Sequence, residues 1–166
     1  MCDCPAAAEV TKELRSIYPG DEIFRANFTT KVFDTSNNRN KQVVRYILAK
    51  IDAQTAGTPF SSPSSEITVE HILPENPADN WPQFSEADAA SEVYRIGNMI
   101  LLEDKLNRNA SNLSFSRKKP FYGQSIITTA IKMATEAGDW DVEKIQIRQQ
   151  GLARTATGIW RIAQLH

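Results

Sequence analysis

The chain has 166 residues, of which 41% are hydrophobic and 23% charged, which is ordinary for a globular protein. A domain of this length buries roughly 70% of the surface of its unfolded chain, so it needs neither metal nor disulfides to hold a core. The two cysteines, Cys2 and Cys4, exclude a disulfide framework and the paired Cys-x-x-Cys spacing of structural zinc sites. No apolar run approaches the roughly 18 residues of a membrane span, and no signal peptide is recognisable, so we expect a soluble cytoplasmic protein.

The first 65 residues are predicted to be mostly helical. Apolar residues recur at helical spacing between Lys41 and Lys50, and shorter helices are predicted over 13–18 and 22–33. The stretch 57–65 is rich in Gly, Pro and Ser, which hold neither a helix nor a central strand, so it is interpreted as a connector.

The middle of the chain predicts a strand, a loop, a second strand and a short helix. The first strand covers 67–72, which is rich in β-branched residues and is followed by Pro74. After a polar loop, Ser85 and an acid three residues later predict the capped start of a short helix. The apolar run 99–102 predicts a buried strand, and 105–109 a short basic helix.

The last part of the chain is predicted to be helical again. Apolar residues share one face over 127–134, Gly138 is predicted to end this helix, and Asp139 is predicted to cap the next one. A long final helix is predicted over 142–163, with an apolar stripe that we interpret as core packing.

Charge is segregated along the sequence although the formal net charge is −1. From residue 66 to 104 there are nine acidic residues and one basic residue, whereas from 105 to 135 there are six basic residues and no acid. An incidental basic face and a face that contacts phosphates are both compatible with this pattern.

His71 is the candidate imidazole catalyst, because the only other histidine, His166, is the terminal residue. A single histidine in a strand is more often structural than catalytic. Glu70 precedes it directly, however, and adjacent strand residues point to opposite faces. A carboxylate and an imidazole at these positions can flank one ion only if the strand ends or bends there, which Pro74 favours.

Two asparagines interrupt apolar or basic context: Asn98, just ahead of the second strand, and Asn107, in the short basic helix. Each taken alone is best interpreted as a cap. Together with the Glu70-His71 segment they form an ordered set: Glu70-His71-Ile72-Leu73-Pro74, Gly97-Asn98-Met99-Ile100-Leu101-Leu102 and Lys105-Leu106-Asn107-Arg108.

This ordered set resembles the HNH nucleases, whose ββα-metal core carries an acid-His pair, a middle Asn and a third Asn or His. Residues 25–166 are most similar to the C-terminal HNH-type domain of GmrSD-type modification-dependent restriction and phage-defence enzymes. The resemblance implies an α+β, mainly helical fold with a small ββα-metal core between N-terminal and C-terminal helices. It also implies a single domain over 1–166, belonging to a larger protein, with a lead-in and connector (1–65), a core (66–120) and C-terminal helices (121–166).

The resemblance further implies a metal-dependent DNA endonuclease. His71 would activate water as general base. Asn98 would fix the neighbouring loop and orient His71. Glu70 and Asn107 would supply oxygen ligands to Mg²⁺ or Mn²⁺, although many HNH proteins have Asp where this chain has Glu70. The residues expected to neutralise the DNA backbone are Lys105, Arg108, Arg117, Lys118 and Lys119.

Two alternatives stay open from the sequence alone. One is a non-catalytic module that binds nucleic acid or a protein through its basic face, and the other is cleavage of RNA by the same site. The chain has no Gly-x-x-x-x-Gly-Lys phosphate loop, so an NTP-binding or target-recognition domain is expected outside these residues. The sequence identifies neither the DNA modification recognised, nor nicking versus double-strand cleavage, nor the oligomeric state.

Overall fold

A small two-stranded sheet lies among seven α-helices in the part of the chain that the structure describes. The computed structural model describes residues 13–14 and 17–161. Its elements are α1 (Asp21–Thr30), α2 (Asn38–Ala56), β1 (Ile67–His71), α3 (Glu86–Glu92), β2 (Met99–Glu103), α4 (Asp104–Ala110), α5 (Phe115–Tyr122), α6 (Thr128–Glu136) and α7 (Val142–Trp160), with 3₁₀ turns at Ala78–Asn80 and Ile96–Asn98. The predicted mainly helical α+β class is confirmed. None of the helices in these ranges is both long and apolar enough to cross a membrane.

The two predicted strands pair antiparallel as a hairpin with a long connection. Ile67 lies opposite Glu103, and His71 lies opposite Met99. β1 ends at His71, one residue earlier than predicted. The Ile72 N–H still donates to the Asn98 carbonyl in the same register, but Asn98 belongs to the 3₁₀ turn and not to β2. α4 follows β2 without a loop, so the order strand, strand, helix is the one predicted.

Both faces of the sheet are buried. On one face Val69 and Leu101 pack with Leu48 of α2 and Leu152 of α7. On the other face, a second apolar cluster contains Ile100 and Leu102 from β2 together with Trp81, Tyr122 and Trp140. This double burial explains why 99–102 is a continuous apolar run and does not alternate with polar residues.

The N-terminal helices differ from their predicted bounds. α2 extends beyond both ends of the predicted segment, because the Asn37 side chain caps its start and Gly57, in the left-handed region at φ 67°, ends it. α1 ends at Thr30, short of the predicted residue 33, because the backbone turns extended and Phe33 N–H donates to the Tyr94 carbonyl. The helix predicted over 13–18 includes residues outside those described.

The later helices confirm two predictions, correct one and include one helix that was not predicted. Ser85 and Asp88 form the predicted capping box at the start of α3, and α6 covers most of 127–134. Asp139 does not cap α7; Asp141 does, accepting from the Lys144 N–H. α5 was not predicted, and it contains Pro120 although proline usually ends a helix.

α7 attaches the start of β2 to the N-terminal part of the molecule. The buried Gln149 accepts from the Gly97 N–H and donates to three carbonyls at the end of α1, those of Phe28, Thr29 and Lys31. The neighbouring Arg148 donates to three more carbonyls around the same turn, those of Ile96, Gly97 and Met99. The turn that leads into β2 is therefore fixed by side chains of the C-terminal helix.

Gly97 tests this contact, because a Cβ there would collide with the Ile145 carbonyl and lie 2.9 Å from Gln149 Cβ. We expect Gly97→Ala to lower the free energy of unfolding by about 3 kcal/mol, at the upper end of what overpacking usually costs. Gly158→Ala, inside α7 with nothing within 4 Å of the new methyl group, is the control. It should be neutral or stabilising by up to about 1 kcal/mol. Chemical denaturation measures both, and equal effects would contradict the close packing at Gly97.

Candidate active site

A cleft of about 450 Å³ opens beside the end of β1. Glu70 and His71 line it from β1, and Asn107 lines it from α4. The segment that leads into α2 and its first turns form another wall, with Thr35 and Lys41. The structure therefore brings three of the four predicted catalytic and metal-binding residues to one cleft.

His71 is held at this cleft by partners from distant segments. Its Nε2 lies 2.9 Å from the hydroxyl of the buried Thr35. Its ring packs edge-on against Tyr94, with 5.9 Å between ring centroids. Burial, followed by the positive charges of Lys118 and Lys41, lowers the pKa of His71 to about 4, because each disfavours the imidazolium. The imidazole is thus neutral at neutral pH. In the tautomer that carries its proton on Nε2, this nitrogen donates to the Thr35 hydroxyl, and Nδ1 is the nitrogen that accepts a proton.

Glu70 lies on the opposite side of β1 and is 4% exposed. Its Oε1 accepts from Lys118 Nζ at 2.7 Å and from the Tyr122 hydroxyl at 2.8 Å. Burial raises the pKa of Glu70, and the attraction of the Lys118 ammonium opposes that shift. Burial and the neighbouring Glu70 raise the pKa of Tyr122 well above its ordinary value, so its hydroxyl stays a donor.

Asn107 is oriented by two hydrogen bonds from its amide nitrogen. Nδ2 donates to Thr68 Oγ1 at 2.8 Å and to the Val69 carbonyl at 3.1 Å. Because a carbonyl accepts and never donates, the Val69 contact fixes which end of the amide is nitrogen. The oxygen Oδ1 is therefore the end that does not contact β1, and it is an available ligand atom on a cleft residue.

Asn98 is fully buried and makes no hydrogen bond to the imidazole within the part of the chain described. Its Oδ1 accepts from the Leu73 N–H and the Trp140 indole, and its Nδ2 donates to the Leu73 and Val93 carbonyls. This side chain fastens the loop two residues after His71. Any orientation of His71 by Asn98 therefore acts through the backbone of this loop and not through a hydrogen bond to the ring.

Of the five residues predicted to contact DNA, two are buried or half-buried and three are exposed. Lys118 is 0% exposed and paired with Glu70, so its predicted contact with the DNA backbone is wrong. Lys119 is half-buried and donates to the Ala137 carbonyl at 2.6 Å. The other three are exposed and do not line the cleft: Lys105, Arg108 and Arg117. Arg108 also pairs with Asp104 on the same helix.

The oxygen donors of the cleft fit a hard divalent cation. No group of three His, Cys, Asp or Glu side chains within residues 13–14 and 17–161 is placed to hold a metal ion. Mg²⁺, however, commonly takes one or two protein oxygens and completes its shell with water and phosphate. Glu70 and Asn107 can offer one carboxylate and one amide oxygen to such an ion.

Three supporting residues were missed by the sequence analysis. Thr35 and Lys41 lie 36 and 30 positions before His71, in a segment interpreted only as a helical lead-in. Tyr122 was given no role at the site. No local pattern identifies these partners, because each contact depends on how separate helices pack around β1.

Comparison with known proteins connects this geometry to a family. The family model described as GmrSD restriction endonucleases, C-terminal domain, matches residues 18–155. Searches of curated proteins and of solved structures gave no match. The family match covers most of the chain, including both strands, α4 and α5, and it confirms the resemblance seen in the sequence. The chain belongs to the family of the C-terminal domains of GmrSD restriction endonucleases.

Proposed function

We propose that this domain is an HNH-type, metal-dependent endonuclease that hydrolyses phosphodiester bonds in DNA. The observation that carries the proposal is the convergence of His71, Glu70 and Asn107 on one cleft. The family match to restriction endonucleases supports DNA as the substrate. Residues that recognise the target or couple cleavage to NTP are expected elsewhere in a larger protein.

In the proposed reaction, His71 acts as general base. Its neutral ring, held at Nε2 by Thr35, accepts at Nδ1 a proton from the water that attacks phosphorus. The new P–O bond forms as the bond to the leaving sugar oxygen breaks, and that oxygen takes a proton from solvent. A Mg²⁺ or Mn²⁺ ion held by Glu70 and Asn107 would supply positive charge to the phosphate and the leaving oxygen.

Lys41 supplies the cleft's own positive charge. Among the described residues that line the cleft it is the only lysine or arginine, and its charge contributes to lowering the pKa of His71. We place it on a phosphate close to the scissile bond. The exposed Lys105, Arg108 and Arg117 contact phosphates farther along the strand.

The non-catalytic binding module is the weaker candidate. The burial of Lys118 removes one charge from the basic face on which that function was based. A neutral imidazole at the cleft also brings no positive charge to a phosphate. RNA cleavage by the same residues would appear as preferential degradation of RNA when both polymers are offered to the protein.

His71→Ala should lower the rate of supercoiled plasmid cleavage by about 10²–10⁴-fold, because the general base is lost. Cleavage is measured with Mg²⁺, with Mn²⁺ and with EDTA, which should abolish it. Asn76→Ala, at an exposed position lining the same cleft, is the matched control and should cut normally. Equal cutting by wild type and His71→Ala, or no cutting by wild type with any metal, would favour the binding module.

Asn107→Ala should raise the metal concentration for half-maximal cleavage by about tenfold, since one of two protein ligands is lost. Asn109→Ala, exposed on the same helix two residues away, is the control. Thermal melting identifies any effect of the lost bonds to Thr68 and Val69. A metal titration identical to wild type would remove Asn107 from the ligand set.

Lys41→Met should weaken DNA binding and reduce the slope of log K against log salt by about 1, because one phosphate contact is lost. Lys132→Met is the control, since Lys132 is an exposed lysine on α6 that does not line the cleft. Fluorescence anisotropy at several salt concentrations measures the slope. An unchanged slope for Lys41→Met, or an equal change in both variants, would show that Lys41 does not contact a phosphate at the cleft.

A further inference from the structure

We infer that Lys118 and Tyr122 of α5 are positioning residues that hold Glu70 so that one carboxylate oxygen, Oε2, faces a divalent cation in the cleft. The inference rests on the proposed function and adds to it the residues that set the geometry of the cation ligand. It assigns to Lys118 a role different from the DNA contact expected from its charge.

The first support is the bonding of the carboxylate. Oε1 of Glu70 accepts from both Lys118 Nζ and the Tyr122 hydroxyl, at 2.7 and 2.8 Å. Two donors at one oxygen fix the rotation of the carboxylate about its last bond. Neither of these side chains bonds the other oxygen, Oε2. The His71 backbone N–H also interacts with the carboxylate, and Glu70 lines the cleft. Glu70 is therefore set to offer a cation one oxygen and not two.

The second support is the way that Lys118 bridges the two residues of the acid-His pair. The same ammonium that bonds Glu70 also donates to the backbone carbonyl of His71 at 2.9 Å. Glu70 and His71 are adjacent in β1, so their side chains leave the strand on opposite faces. One buried cation thus fixes the carboxylate on one face and the backbone of the base at the strand end.

The third support is burial. The Lys118 and Tyr122 side chains are 0% exposed, and both come from α5, which packs beside α4 with its ligand residue Asn107. A lysine of this kind cannot reach a DNA phosphate without leaving its pair, and a buried ammonium needs its anion. The Lys118 ammonium therefore acts on Glu70 and on the His71 backbone and not on DNA.

The test measures Mn²⁺ binding directly, by titration of free Mn²⁺ in electron paramagnetic resonance, alongside plasmid cleavage. Tyr122→Phe is the principal variant, because it removes one donor to Oε1 and keeps the ring in the core. We expect its Mn²⁺ affinity to fall at least threefold. Lys118→Met removes two hydrogen bonds and should weaken Mn²⁺ binding tenfold or more, if the variant folds. Lys119→Met, at the next lysine in α5, should bind Mn²⁺ as wild type does.

A merely structural role is separated by a double variant. If Tyr122 acts through Glu70, the loss of affinity caused by Tyr122→Phe should disappear in a Glu70→Gln background, whereas an independent packing effect would persist. A folded Tyr122→Phe that binds Mn²⁺ as tightly as wild type overturns this inference. When the wild type still cuts in a His71-dependent way, the proposed function survives that result. A wild type that neither binds Mn²⁺ nor cuts overturns both.

Discussion

The site depends on the geometry of two adjacent residues in a β-strand. Glu70 and His71 leave β1 on opposite faces, so no single neighbouring element can support both side chains. The fold meets this constraint with one helix and one turn from different parts of the chain. α5 supports the carboxylate through Lys118 and Tyr122, while the segment before α2 supports the imidazole through Thr35. The flanking helices are therefore part of the site and do more than cover the sheet.

Burial of the Glu70 carboxylate costs free energy, and its pairing with the Lys118 ammonium offsets part of that cost. Both charged groups lose hydration when they are buried. For this reason burial raises the pKa of Glu70 and lowers the pKa of Lys118. Loss of one partner from such a pair leaves an uncompensated buried charge, at a typical cost of about 3–5 kcal/mol. A buried ion pair is weak evidence of selection for stability, but it is well suited to holding a carboxylate in one orientation.

Local sequence patterns predicted the elements better than the contacts between them. The two strands, the capping box at Ser85 and the helical face of α6 arise from residue type and short-range spacing, which act within a few positions. α5, which was not predicted, contains Pro120 two residues before its end, although proline usually ends a helix. Asp139 and Asp141 are both good caps by type, and only the path of the chain selects Asp141.

At the candidate site, the residues of the cleft were predictable from the sequence, whereas the role of Lys118 was predicted wrongly. His71, Glu70 and Asn107 were identifiable because their order along the chain is distinctive. Lys118 was expected to contact the DNA backbone as one of the basic residues of the segment 105–135, and its actual partner, Glu70, lies 48 positions away. Thr35 carries no sequence signal at all, since its hydroxyl matters only through the distance to an imidazole on another element.

Gln149 and Arg148 of α7 hold the turn before β2. A fragment that is moved into another protein must therefore include α7 to keep this turn in place. A cassette cut from the start of β1 to the end of α4 would keep the His71 imidazole, the Glu70 carboxylate and the Asn107 amide. It would lose the hydroxyl at Nε2, the ammonium behind the carboxylate and the side chains that hold the turn. Chimaeras should therefore exchange the whole segment from α1 through α7, because residues before and after the hairpin hold its side chains and its turn.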